Sequence, residues 1–356
     1  MLNFTVGPVM SCDEVTEVSS HSAPYFRTPE FSELMLENEA LMLKYMKAPA
    51  GSRCVFLTTS GTGAMESIVM NVLSKEDRVL VVNGGSFGHR FVQLCELHEL
   101  EHTSIDLAFG QALRCEDLSK YAGKGYTALL VNMHETSSGV LYDMPMIAGF
   151  CKENGIMLLV DAISAFIADE LDMEALGAAA VITGSQKALA VFPGISVVAL
   201  APQALKRVEK NPERCMYLSL KDALKNGERG QTPFTPAVMT LLQINRRLRM
   251  IEENGGIEAE SKKIAELARQ FRSGISDLPL KNASQSCSNA VTALKVNSGA
   301  REIFRILKDE YKIWICPNGG DIADVVFRVG HIGNITKADI ETLTAALHEL
   351  HERGVY

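Results

Sequence analysis

Short apolar runs alternate with amphipathic stretches through the first two thirds of the chain. Runs of strand length occur at Cys54–Thr58, Arg78–Val82, Thr103–Asp106, Ala128–Asn132, Ile156–Val160, Ala179–Ile182 and Ile195–Leu200. Between them, Gly63–Leu73, Phe87–His98 and Met144–Asn154 carry helical spacing. Alternation of this kind predicts a mainly parallel sheet covered by helices on both faces. From about Pro236 the pattern changes. Two long helical segments, Ala237–Glu253 and Glu258–Ser276, flank the Gly255-Gly256 breaker. A smaller mixed unit follows, with strands near Ala290–Lys295 and Val325–Arg328 and a closing helix over Lys337–Arg353. The expected fold class is α/β: a large domain around a seven-stranded, mainly parallel sheet, then a small C-terminal α/β domain, divided in the long helix near residue 245.

Composition narrows the function classes. The 356 residues are 47% hydrophobic and 22% charged, ordinary for a soluble globular enzyme. A net charge of −8 argues against a nucleic-acid partner, and the one basic cluster, Arg246–Arg249, lies in a helical pattern. Eight cysteines are scattered without a CxxC pair, the usage of a reduced, cytoplasmic protein. The first residues, MLNFTVGPVMSCDEV, lack the basic and apolar regions of a signal peptide. The longest apolar stretch, Ala188–Pro202, is broken by Pro193-Gly194 and is too short to span a bilayer, so no membrane partner is expected.

The candidate chemistry sits where apolar runs end. After Ala179–Ile182 the chain turns small and polar and presents Lys187. A lysine beside a buried strand loses hydration, which brings its neutral, nucleophilic amine within reach; the alternative is a solvated surface charge. Asp161 closes the preceding run, GIMLLVDA. A carboxylate and an amine so placed suit the two poles of pyridoxal phosphate, the first at the ring nitrogen and the second at the aldehyde. Thr59-Ser60-Gly61-Thr62-Gly63 joins a strand to a helix, where free N–H groups favour a phosphate, although such turns are also common helix caps. Phe87, in NGGSFGHR, is a ring platform or a core residue, and Thr136, in HETSSG, adds a hydroxyl at the same sheet edge. Arg328, closing a strand of the smaller unit, grips a carboxylate or forms a surface ion pair. His98-Glu99-Leu100-Glu101-His102 matches HExxH, but it straddles a helix end and a strand start and has no third ligand at suitable spacing, so no metal is expected.

These residues fall in an ordered series: Gly7-Pro8, Arg27-Thr28-Pro29-Glu30-Phe31, SGTGAME at 60–66, G-x-F-G-x-R at 85–90, E-T-S-S-G at 135–139, V-D-A-I-S at 160–164, G-S-Q-K at 184–187, Pro193-Gly194, Thr235-Pro236 and R-V-G-x-I-G at 328–333. Over essentially its whole length the chain resembles the fold-type I, class V pyridoxal-phosphate aminotransferases. Within them it resembles the alanine–glyoxylate, serine–pyruvate and 2-aminoethylphosphonate–pyruvate group. With the division read from the pattern along the chain, the large cofactor-binding domain is expected over 13–245 and the small domain over 246–356 joined by residues 1–12. The resemblance implies that Lys187 bears the cofactor as a Schiff base and that Asp161 pairs with the ring nitrogen. It further implies Phe87 and Ile163 on the two ring faces and Thr136 near the phenolic oxygen. Ser60, Gly61, Thr62 and Gln186 fall at the phosphate, and Thr235 reaches it from a neighbouring subunit of a homodimer. Arg328, with the Gly7 backbone close by, falls at the substrate carboxylate. Many relatives carry tryptophan at the place of Phe87; the two departures are Phe26, where relatives usually carry histidine, and a chain slightly short for the group, chiefly around the small domain.

The expected activity is transfer of an amino group between a small amino acid of the alanine or serine type and a small 2-oxo acid such as pyruvate or glyoxylate. The alternatives are a 2-aminoethylphosphonate donor, a cysteine desulfurase-type lyase, for which Cys316 and Cys287 lack the usual surroundings, and a cofactor-binding protein without turnover.

Overall fold

The computed structural model describes all 356 residues, Met1–Tyr356. Its large sheet contains β1 (Arg53–Leu57), β2 (Arg78–Asn83), β3 (Glu101–Asp106), β4 (Ala128–Asn132), β5 (Met157–Asp161), β6 (Ala178–Gly184) and β7 (Ser196–Leu200). Their order is β1-β7-β6-β5-β4-β2-β3, with β7 antiparallel to both neighbours and every other pair parallel. Successive residues of each central strand enter different cores. Leu158, Val160, Val181 and Val197 pack in one, whereas Met157, Leu159, Ile182 and Val198 pack in the other. A strand buried on both faces has no polar side to show, so its sequence is a continuous apolar run.

Helices α1 (Pro29–Tyr45), α2 (Gly61–Val72), α3 (Ser86–Leu97) and α4 (Met144–Asn154) belong to this large unit. Helix α1 lies outside the elements that the spacing predicts, although its start is signalled: Thr28 accepts a hydrogen bond from Phe31 N at 3.3 Å, with Pro29 and Glu30 in the first turn. Its buried Phe31, Met35 and Met42 stripe leans on α5 (Val238–Glu253), and Asn38 Nδ2 and Tyr45 Oη donate to Leu241 O and Leu248 O of that helix.

Helix α5 breaks at Gly255 before α6 (Gly256–Gly274). The small sheet, β8 (Lys281–Asn282), β9 (Val291–Lys295), β10 (Cys316–Pro317) and β11 (Val326–Gly330), is antiparallel in the order β8-β9-β11-β10. Helix α7 (Lys337–Glu352) closes the chain. We place the division between the units inside α6 rather than at residue 245. Leu241, Ile244, Leu248, Ile251 and Ile264 pack in a large-unit core, whereas Leu267 and Phe271 pack with Phe327, Leu343 and Leu347. The N-terminal segment bridges both. Leu2–Asn3 pairs with Ile313–Trp314 and Phe4 enters the small core, while Val6 and Val9 enter the large one.

Candidate active site

Parallel strands bring their carboxyl ends to one edge, and the polar turns that leave this edge face the small unit. Asp161 ends β5 and is 5% exposed. Its Oδ1 accepts from Ile163 N at 2.8 Å and its Oδ2 from Asn132 Nδ2 at 2.5 Å. Asn132 ends β4 directly opposite Asp161 in the sheet register. Burial pushes the carboxyl up to about 6, against the two donors that favour its anion; Glu135 adds to the rise and Lys187 opposes it. No cation of the chain forms an ion pair with it, so a buried carboxylate at a sheet edge stands ready for a cationic ligand atom.

Lys187 lies in the turn after β6 and is 8% exposed. Its Nζ donates to Val6 O at 2.5 Å. Burial, then the Arg328 guanidinium, pull its ammonium down to about 8, while Cys316 and Asp161 act the other way. The neutral amine is therefore accessible near neutral pH. Gly7 passes so close that a Cβ there would stand 2.8 Å from Lys187 Cδ and 3.1 Å from Nζ, and its φ of +123° disfavours any side chain. Gly7→Ala is expected to push the amine aside by about 1 Å and lower kcat/KM by about 10²-fold. Steady-state kinetics beside an unchanged far-ultraviolet spectrum check this.

Ser60 caps α2 without using its side chain, and the first N–H groups, of Gly61 and Thr62, are left free by the helix geometry. Thr62 Oγ1 accepts from Arg90 Nη1 at 2.9 Å. A Cβ on Gly61 would lie 2.4 Å from Ile163 Cδ1, so this turn and the one after Asp161 are in contact. Gln186, half-buried, flanks the same turns beside Gly184.

Phe87 opens α3, half-buried, with the Arg90 guanidinium 4.9 Å from its ring centre. Glu135 lies in the HETSSG motif, whose spacing assigns it no task. It is fully buried, and its Oε1 and Oε2 accept from Phe87 N at 3.4 Å and Gly88 N at 2.9 Å. A carboxylate at a helix start satisfies free donors and meets the positive end of the dipole. Thr136 follows, buried, with Oγ1 2.7 Å from Ser164 Oγ.

Arg328, in β11, donates Nη1 to Thr136 O and Nη2 to Pro317 O and Cys316 Sγ, each at 3.1 Å, and its buried Nε has no partner. It makes no ion pair within the chain. A largely desolvated guanidinium held by neutral acceptors, beside the lysine, is built for an incoming anion.

Thr235 is exposed on the segment before α5, and its hydroxyl bonds to nothing in its own chain. Ala237 N donates to Thr58 Oγ1, and Arg27 donates to Thr232 O and Pro233 O, which fixes this segment against the large unit. Phe26, buried, packs its ring under the Arg27 guanidinium. The HExxH residues divide as their spacing implied. His98 follows the end of α3 and His102 lies in β3.

Residues 14–341 match the aminotransferase class V family model. The chain belongs to the class V aminotransferases. It is 31% identical over 329 residues to the soluble hydrogenase 42 kDa subunit of Anabaena cylindrica, covering 90% of this chain and 85% of that one. It is 27% identical over 349 residues to serine–glyoxylate aminotransferase of Arabidopsis thaliana, covering 95% and 86%. Among solved structures it resembles an aspartate aminotransferase of subgroup IV from Thermus thermophilus, with a TM-score of 0.91 at 28% identity and 99% of each chain covered. The protein is a pyridoxal-phosphate-dependent aminotransferase of fold type I. Its residues fit that cofactor: a buried carboxylate without a cation, a desolvated amine, a helix start with unused donors and glycines at the closest approaches.

Proposed function

We propose that this aminotransferase moves an amino group between a small amino acid of the alanine or serine type and a small 2-oxo acid such as pyruvate or glyoxylate. The observation that carries this reading is the unpaired Arg328 guanidinium beside Lys187. Both substrates of such a reaction bear a carboxylate next to the reacting carbon, and one bidentate cation serves both. Pyridoxal phosphate, when bound, supplies an aldehyde for amines and a ring that absorbs the electron pair left at the α-carbon.

The chain does the rest. Lys187 Nζ would hold the aldehyde end of the cofactor and, as a neutral amine, would move the α-proton. Asp161 would hold a proton at the ring nitrogen. Phe87 and Ile163 would cover the two ring faces, Thr136 would meet the ring oxygen, and Ser60, Gly61, Thr62 and Gln186 would take the phosphate. Arg328 and the Gly7 backbone orient the substrate carboxylate. Exposed Thr235 is delivered to the phosphate of a second copy, so the working unit is a homodimer. A cytoplasmic location accords with eight free cysteines, and no helix is long and apolar enough to cross a membrane.

The test is a matrix of alanine, serine, aspartate and 2-aminoethylphosphonate against pyruvate and glyoxylate. Alanine or serine is expected to lead. Arg328→Leu is expected to cut kcat/KM for these donors by about 10²-fold, the cost of leaving a carboxylate without its charged partner. A wild-type preference for 2-aminoethylphosphonate, with Arg328→Leu affecting only the acceptor, replaces this reading with the phosphonate one.

A further inference from the structure

One buried titratable group has no task in the scheme above. His134 is 2% exposed, two residues before Thr136, with Nδ1 2.9 Å from Ser164 Oγ and no partner at Nε2. Ser164 Oγ lies 2.7 Å from Thr136 Oγ1 and 3.3 Å from His134 O. The three side chains form one line of hydrogen bonds from the protein interior to the sheet edge. All are buried, so no water competes for its protons.

We propose that His134 is a positioning residue: acting through Ser164, it fixes the Thr136 hydroxyl as a donor into the active site. The inference rests on Thr136 facing the cofactor's ring oxygen, as proposed above. Besides the arrangement in which Ser164 spends its proton on the longer 3.3 Å contact to His134 O and Thr136 donates to Ser164, two arrangements satisfy the line. In the first, His134 Nδ1–H donates to Ser164, Ser164 donates to Thr136, and the Thr136 proton is left for the site. In the second, Ser164 donates to a bare Nδ1, Thr136 donates to Ser164, and an N–H at Nε2 is buried without an acceptor. An orphaned buried N–H is the rarer and costlier defect, so the first arrangement is favoured. The imidazole also stays neutral. Burial, then the Lys187, Arg328 and Arg272 cations, drive its acid form down to about 3. The line therefore keeps one direction across the working pH range. Hydrogen bonds in such a chain polarise one another, and the last donor is strengthened by those behind it.

The experiment follows the bound cofactor's visible absorption against pH in the holoenzyme. A proton donated to the ring oxygen makes the neighbouring nitrogen a stronger acid, so losing the donor raises the titration midpoint. Thr136→Val is expected to raise it by about one pH unit, the size of a hydrogen bond to a charged group. His134→Leu is expected to raise it by about half a unit. His134→Asn, whose amide nitrogen takes the place of Nδ1, is expected to stay within ~0.2 unit of wild type. A midpoint unmoved in His134→Leu but moved in Thr136→Val overturns the relay and leaves the transaminase reading intact. So does a His134→Asn midpoint that moves as far as that of His134→Leu. An unmoved Thr136→Val midpoint overturns the relay at its outer end. If His134→Leu fails to give folded holoenzyme, Ser164→Ala cuts the same line, and its midpoint is expected to rise equally; an unmoved one overturns the proposal. Wild-type holoenzyme whose visible band ignores every amino donor counts instead against the transaminase reading.

Discussion

Lys187→Ala is expected to lower kcat/KM for every amino donor by about 10⁴-fold, the upper range for a positioned proton-transfer group. It is also expected to abolish covalent retention of the cofactor. The amine is singular in its setting. It is 8% exposed, tied to Val6 O, and pulled down to about 8 by burial and by Arg328. An ordinary lysine, with an acid constant near 10.4, keeps very little neutral amine at pH 7.5; this one keeps a sizeable fraction. Borohydride reduction of wild-type holoenzyme, then digestion, is expected to leave the cofactor's mass on the peptide containing Lys187. The alanine variant is expected to leave it on none. The sign of the pH effect follows from the depressed acid constant: cofactor capture by the apoenzyme should quicken as pH rises through about 8 and level off above it. Capture that peaks below pH 6, or an alanine variant with normal turnover, removes Lys187 from this role.

Much of this arrangement is legible in the chain because both-face burial leaves a plain mark. Val181, Ile182, Val197 and Val198 serve opposite cores, so their strands read as unbroken apolar runs, and the polar residues that end them announce the working edge. Lys187, Asp161 and the Ser60–Thr62 turn are found that way. What the spacing hides depends on neighbours brought by topology. Asn132 stands beside Asp161 only because β4 pairs with β5 across an intervening helix. Glu135 caps a helix that begins about fifty residues earlier in the chain, so no local pattern reveals its task. His134 and Ser164 meet in the same manner. The place where the packing changes is hidden for a related reason. A long helix looks like a hinge in sequence, but α5 gives its apolar face to α1 and the large core, and the change of packing comes one helix later.

Asp161→Asn is expected to separate stability from activity in opposite directions. In the apoenzyme the carboxyl is raised from 3.8 to about 6 chiefly by burial. A folded-state constant above the unfolded one means that the native protein binds the proton more tightly. Stability contributed by the protonated form is present below pH 4 and is lost as pH rises through about 6. At pH 8 the apoenzyme therefore carries a buried anion at a cost of about 3 kcal/mol. An amide carries no such charge; its oxygen still accepts from Ile163 N, and its nitrogen donates to Asn132 once that amide turns to present its unpartnered Oδ1, so apo Asp161→Asn should melt several degrees above apo wild type at pH 8. The advantage should vanish near pH 4. With the cofactor bound the order reverses. The carboxylate then faces the protonated ring nitrogen, and an amide cannot hold that proton at pH 8. Turnover is expected to fall by about 10³-fold, the scale seen when one preorganised electrostatic partner of the reacting charge is removed. Calorimetry of apo and holo forms at pH 4 and 8, beside kinetics, reads both arms. An asparagine variant that gains no apo stability yet loses activity would mean that Asp161 is not a naked buried charge. One that gains stability and keeps its turnover would mean that the ring nitrogen is governed from elsewhere.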